Sequence, residues 1–499
     1  MIIRTSDTAE INEIFTKLDK YVKDNFKNPI VKFLDLGTHK IRLLIHSEDF
    51  VGHIEKQMTY VMRDNLDSYD ATLVLWNEKS IKSLPQKISN KFDLKNNLKL
   101  RIEMLARKRE PRFAKVYDER ESKIFPIIWA NFDKKTLEAS DKENNTYYYG
   151  VEDLSPEEFI KEGHLFIQFV NKIVKSKTTN IVHGAVVGSN NNGVLFCARG
   201  QRGKSTLTVL SMMEGFEYVS DDYLTLEKEN ENLYSYPIYS IITLSPKMYN
   251  ELYDRLDGTR FVSNNARKDK YVINIKNFHK QFKTKYPIKI CIFPEIVNQE
   301  KPSINLCSEE EKGRAITQLI QSTVSQMRDS NNTETIKKLY SMIKDFNFYK
   351  LNLCPNIHLN TEFLREFLSD LKIEKAKPIN ENNMFVDITF DIANILDSKT
   401  GTLYQMNHFA TAVYESLLNN STRDEILDII KNIDGVLPDI EKDLDLLIKE
   451  IKQKGLLRKL ETQTFTPNYD LEKIKENKFE LSFKEFGKDG NVELIKQGE

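Results

Sequence analysis

In Gly203-Lys204-Ser205-Thr206 a glycine, an ammonium group and two hydroxyls follow one another directly, and after one further apolar run come two adjacent carboxylates, Asp221 and Asp222. A lysine behind a glycine turn can hold the charge of a phosphate. A hydroxyl at the start of a helix can ligate Mg²⁺, and the backbone N–H groups of such a turn point inward at the same anion. Of two carboxylates beside that loop, one can hold Mg²⁺ directly or through water while the other accepts the proton of an attacking hydroxyl. Phosphoryl transfer asks mainly for positioning and charge neutralisation, which these groups supply. Ser-Asp-Asp is also a common turn or N-cap sequence, so the residue types alone leave both roles open.

The elements that must carry these groups are legible around them. "VLFCA" reads as a buried strand entering the loop, and "STLTVLSMME" as a helix with Leu207, Leu210 and Met213 on one face, stopped by Gly215. "FEYVS" reads as the strand that delivers the carboxylate pair. The expected phosphate cradle is Gly200, Gln201, Arg202, Gly203, Lys204, Ser205 and Thr206. Ala198 stands where the phosphate-loop consensus has its first glycine, so Gly200 is the candidate for the permissive backbone position. Upstream, His183 lies in the apolar run "NIVHGAVVG", where on its own it reads as a histidine in a buried strand.

"VHGAVVG", "ARGQRGKST" and "FEYVSDD", in this order and spacing, resemble the catalytic domain of HPr kinase/phosphorylase and its relatives over Ile181 to Leu226. The resemblance implies ATP and Mg²⁺ as cofactors. It implies that His183 is an active-site histidine, that Lys204 binds phosphate, that Ser205 ligates Mg²⁺, and that Asp222 is the proton acceptor with Asp221 beside it. Two features depart from the family: the loop itself, and a downstream glutamate that is the family's second Mg²⁺ ligand. At that distance this chain reads "YPIYSIITLSPKMY", without an acid, which leaves the metal to Ser205, Asp221, Asp222 and phosphate oxygens. The segment that would recognise HPr is not recognisable either. Arg267, Lys268 and Lys270 in "NNARKDKY" could close over the phosphates or form an ordinary charged loop.

Further on, "MFVDITF" and "IANILDSKTGTLYQMN" read as a strand and a hairpin turning at Gly401, followed by three helices. Asn407 is a candidate N-cap, Thr422 with Glu425 a capping box, and Pro438 and Gly455 bracket a helix with Ile440, Leu444, Leu447, Ile448 and Ile451 on one face. Over Met384 to Leu457 this order, with Asp397, Gly401, Asn407 and "GLL", resembles the PqqD-like domain that recognises ribosomal precursor peptides. The resemblance implies that a leader peptide adds as a strand along Leu403, Tyr404, Gln405 and Met406, beside the last helix. That helix, "DIEKDLDLLIKE", is acidic, which disfavours nucleic acid as a partner. A winged-helix-like module that mediates dimerisation is the other reading.

The whole chain sets the frame. With 499 residues it exceeds one ordinary core. Apolar residues at 40% and charged residues at 29%, with 73 basic against 74 acidic side chains, point to a soluble globular protein without a nucleic-acid-binding charge. No apolar run is long enough to span a bilayer. The isolated Cys197, Cys291, Cys307 and Cys354, and a start without a signal-peptide core, point to the cytoplasm. The expected architecture is multi-domain α/β and α+β. It comprises an N-terminal α/β domain of unknown role (1–150), carrying the basic segment "ARKREPRFAK", then a phosphate-loop α/β kinase domain (151–371) and a linker (372–383). A winged-helix-like PqqD domain (384–457) and a charged tail (458–499) follow. Together these indicate an ATP-dependent kinase acting on a Ser or Thr hydroxyl of a ribosomally made precursor peptide, with self-association left open. The alternative is a leader-binding scaffold whose nucleotide site regulates and transfers nothing.

Overall fold

The computed structural model describes residues 2–89, 113–120, 126–152, 164–176, 178–198, 202–256, 260–265, 268–327, 332–372, 384–433, 435, 440–457, 467–476 and 481–486. It is a mixed α/β protein with several sheets, and it divides into two compact units. One comprises Met1–Asn305, Met327–Ser330 and Tyr349–Lys375; the other comprises Leu306–Gln326, Asn331–Phe348 and Ala376–Glu499. This division differs from the boundaries drawn on the sequence in two ways. The first 150 residues are grouped with the sheet that follows them. The helices Glu309–Val324 and Asn332–Ile343 are grouped with the C-terminal sheet. The contacts explain the second difference: a Cβ at Gly313 would lie 2.0 Å from the Phe385 ring, and Gln318 Nε2 donates to Asp387 Oδ1 at 2.8 Å.

The first unit holds two large sheets. The N-terminal one runs, edge to edge, through Ile2–Thr5, Phe113–Asp118, Ile128–Asn131, Thr136–Asp141, Thr146–Glu152, Ala71–Glu78, Lys40–Ile45, Ile30–Asp35 and Met62–Arg63. Helix Thr8–Asn25 buries Ile11, Ile14, Phe15, Leu18 and Val22, a stripe of helical period, and the Asp7 side chain caps it by accepting from the Ala9 N–H. The second sheet follows the order Thr179–His183, Tyr223–Glu229, Asn232–Pro237, Tyr286–Ile296, Asn192–Phe196, Ala185–Ser189, Glu217–Ser220. Several of its strands read as nearly continuous apolar runs because most of their residues are buried; every residue of Thr179–His183 is buried. One core joins the sheets, with Ile45 and Leu73 clustering with Phe169, Ile181, Tyr239 and Val272. The described strands and helices of the first 150 residues are thus packed into the body that carries the phosphate loop.

In the second unit, Met384–Thr389, Ile392–Asp397 and Thr402–Met406 form the strand and hairpin. The Gly401 N–H donates to the Asp397 carbonyl at φ +69°, and Asp397 Oδ1 accepts from the N–H groups of Lys399 and Thr400. Helices His408–Leu418, Arg423–Lys431 and Ile440–Gln453 follow, with Asn407 as N-cap and Thr422 and Glu425 forming a reciprocal capping box. Ile440, Leu444, Leu447, Ile448 and Ile451 are all buried. Pro438 and the linker at 373–383 lie outside the described residues, as does most of the basic segment "ARKREPRFAK". From the charged tail, Phe483–Phe486 forms a fourth strand on this sheet.

Candidate active site

The loop follows strand Asn192–Phe196 and ends at helix Lys204–Met213. Gly203, the residue before the helix, has φ +85°, and a Cβ there would lie 2.8 Å from Leu353 Cδ1. Glycine is therefore required at this position on backbone and on space. Ala198 is fully buried and is absent from the described residues of positive φ, so the backbone there places no demand for glycine. Gly200 and Gln201 lie outside the described residues. Ser205 and Thr206 are half-buried on the first helical turn, where N–H groups and the helix dipole favour an anion. Arg202 Nη1 sits 3.1 Å from Glu295 Oε1, and Lys350 Nζ is 2.8 Å from Glu295 Oε2. Glu295 thereby ties the loop to the end of strand Tyr286–Ile296.

Lys204, 5% exposed, extends its ammonium to Asp222 Oδ1 at 3.3 Å. Asp222 has φ +70°, a backbone conformation uncommon outside glycine, and its carbonyl accepts from the Gly184 N–H at 2.9 Å. His183, paired with Tyr223 across two strands, brings Nε2 to 3.5 Å from Asp222 Oδ1. The other carboxylate oxygen, Oδ2, accepts from Thr243 Oγ1 at 2.9 Å, and His164 Nε2 lies 3.6 Å from it. Asp221 is deeper; its Oδ2 accepts from the Thr243 N–H at 3.3 Å, and its buried Oδ1 has no hydrogen-bond partner among the described residues.

These contacts separate the two carboxylates electrically. Burial alone would raise the Asp222 carboxyl, but the Lys204 ammonium and the His183 contact hold it well below its ordinary value. Burial, and then the Asp222 charge, push Asp221 up to about 6. His183 is lowered by burial and then by Lys204; His164 is lowered by burial to about 4 against the pull of Asp222. Lys270 adds positive charge that is felt at His164, His183 and Asp221, while the side chains of Arg267 and Lys268 lie outside the described residues. An ionised carboxylate facing a lysine beside a helix N-terminus has the parts for accepting a proton next to a bound phosphate. The Asp221 Oδ1, unpartnered among the described residues, is a donor of the kind a hard cation takes.

The structure thus brings His183, Lys204, Asp221 and Asp222 into one buried cluster. Two members went unseen in the sequence. Thr243 comes from the "SIITLS" segment, which has no acid and supplies a hydroxyl and an N–H instead. His164 sits in "KEGHLF", which carries no motif. In the C-terminal unit the expectation of an open peptide edge needs correction. Leu403, Tyr404, Gln405 and Met406 are paired antiparallel with Phe486, Glu485, Lys484 and Phe483 of the same chain. Phe483 stacks on Tyr404 with ring centroids 5.6 Å apart, and Lys454 Nζ is 2.6 Å from Glu485. Within the charged tail Leu481 and Phe483, two residues apart and both 2% exposed, carry the strand-like alternation that seats this segment.

No protein-family profile matches the chain, and no curated protein matches it. Among solved structures the chain is similar to the Hpr(Ser) kinase/phosphatase from Coxiella burnetii, at 14% identity, with 38% of this chain and 93% of that chain covered and a TM-score of 0.20. Among the described residues no helix is long and apolar enough to cross a membrane.

Proposed function

We propose that the protein is an ATP-dependent phosphotransferase that phosphorylates a Ser or Thr hydroxyl of a ribosomally made precursor peptide in the cytoplasm. The observation that carries this reading is the buried Lys204–Asp222 pair, 3.3 Å apart at the N-terminus of a helix entered through a left-handed glycine. Lys204, Gly203 and the N–H groups of the first turn would hold the phosphates of ATP; Ser205 and Asp221 would hold Mg²⁺. That cation, when bound, neutralises charge on the phosphate oxygens. Asp222, kept ionised by Lys204 and His183, takes the proton from the acceptor hydroxyl as the lysine turns to the phosphate. The C-terminal unit recruits the leader. Its edge is covered by Phe483–Phe486, so recruitment there proceeds by strand exchange. A tethered leader raises the local concentration of the hydroxyl to about mM for a short flexible connection.

Two variants test the chemistry. Calorimetry with Mg²⁺-ATP on the full chain should show binding that Lys204→Ala weakens. Mass spectrometry of the cognate precursor peptide incubated with the full chain and Mg²⁺-ATP should show an added phosphate that Asp222→Asn lowers by ~10²-fold or more while ATP binding persists. Equal ATP binding by wild type and Lys204→Ala removes the loop assignment. A wild type that binds ATP yet never phosphorylates that peptide removes the kinase reading.

A further inference from the structure

Four groups converge on the Asp222 carboxylate, divided evenly between its oxygens. Lys204 and His183 face Oδ1; Thr243 and His164 face Oδ2. The division matters because a base needs one free oxygen and one fixed one. Lys204 is the group that a bound phosphate would draw away, and it sits on Oδ1. Nothing comparable would draw off Thr243 or His164. A carboxylate anchored through Oδ2 keeps its plane when the ammonium leaves, and among the described residues Oδ1 then faces His183 alone, 3.5 Å away.

His164 is built into this position. The Tyr239 hydroxyl donates to the Leu165 carbonyl at 2.6 Å, and the Leu165 N–H donates to Gln57 Oε1 at 3.3 Å, so the backbone beside the histidine is held from two sides. Its ring lies edge-on between Tyr223 and Tyr239, with centroids 4.7 and 5.0 Å away. Its Nε2 is buried and has no hydrogen-bond partner among the described residues. A buried imidazole nitrogen without a partner is costly, and an apolar side chain would fill the space between two tyrosine rings without that cost. The nitrogen is aimed at a carboxylate 3.6 Å away, which a small closure of the site would bring within hydrogen-bond reach.

We propose that His164 is a positioning residue of the phosphotransfer site: its Nε2–H, with the Thr243 hydroxyl, anchors Oδ2 of Asp222 and so makes Oδ1 the oxygen that takes the proton. This rests on the phosphotransferase reading above. It requires the neutral ring to carry its proton on Nε2, the tautomer in which that nitrogen donates.

The test uses the full chain and Mg²⁺-ATP alone, with water as acceptor and released inorganic phosphate as the readout. His164→Leu should lower kcat by roughly 10-fold or more with KM for Mg²⁺-ATP changed less than about 2-fold, the signature of an interaction that serves the transition state. His164→Gln, whose amide nitrogen reaches the same place, should recover most of that loss. A His164→Leu variant with wild-type kcat, or one whose KM rises in proportion to the loss, overturns the proposal. A second measurement does not depend on turnover. In the ring-nitrogen NMR spectrum of the ¹⁵N-histidine-labelled chain, the signal absent from His164→Gln should report a neutral ring protonated on Nε2 and should move in Asp222→Asn. A signal indifferent to Asp222→Asn overturns the pairing. A chain that responds in this spectrum but hydrolyses no ATP retains the pairing and loses the phosphotransferase reading.

Discussion

Removing the Phe483 ring should open the edge of the C-terminal sheet, and the size of the effect follows from how that ring is buried. Phe483 is 2% exposed and stacks on Tyr404, while Ser482 is tied to Asn407 by a backbone N–H to Oδ1 contact at 3.3 Å. Burying a phenylalanine contributes about 1.5–3 kcal/mol, or about 10- to 150-fold in an equilibrium at 1.4 kcal/mol per decade. The Lys454–Glu485 pair, with side chains about a quarter exposed, adds less than about 1 kcal/mol. A ligand that needs the edge binds with its intrinsic affinity reduced by the fraction of molecules in which the edge is free. Phe483→Ala should therefore tighten binding of a competing strand by about 10- to 150-fold, up to the point at which the edge is fully open. A fluorescent peptide copying residues 478–490 serves as that strand, and anisotropy titration against the intact wild-type and Phe483→Ala chains gives the ratio. Equal affinities, with both chains folded by thermal melt, would refute occupation of this edge by the tail.

Two other outcomes follow from single groups. Gly203→Ala puts a side chain at φ +85° and a Cβ 2.8 Å from Leu353, so ATP affinity measured by calorimetry should fall by about 1–2 kcal/mol or more; unchanged affinity would mean the loop adopts another conformation on binding. Glu415 is buried near Asp391, and burial raises its carboxyl from 4.5 to about 7. A raised folded-state value means the protonated form stabilises the fold below pH about 4.5 and that this contribution is lost as pH rises through about 7. Glu415→Gln should accordingly raise the melting temperature relative to wild type at pH about 8 and lose that advantage toward pH about 5; the same difference at both values would exclude ionisation of Glu415 as the cause.

The sequence by itself determined the local features. The helix after Gly203, the capping box at Thr422 and Glu425, the hairpin at Gly401 and the apolar face from Ile440 to Ile451 are all set by residues within a turn or two of one another, and all are present. Spacing also nominated Lys204 and the pair Asp221 and Asp222, because they stand at the end of the next apolar run after the loop, while the choice between the two carboxylates came only from the family resemblance. What only the tertiary structure decided depends on pairings between distant segments. Arg202 meets Glu295, 93 residues away. His164 and Thr243 reach one carboxylate oxygen from two segments that share no motif. The charged tail finds the edge of Thr402–Met406, where backbone groups that no side-chain pattern advertises are left to be paired. The helices Glu309–Val324 and Asn332–Ile343 join the C-terminal unit because their buried faces fit that sheet, and an amphipathic stripe states only that a face must be covered, never by what.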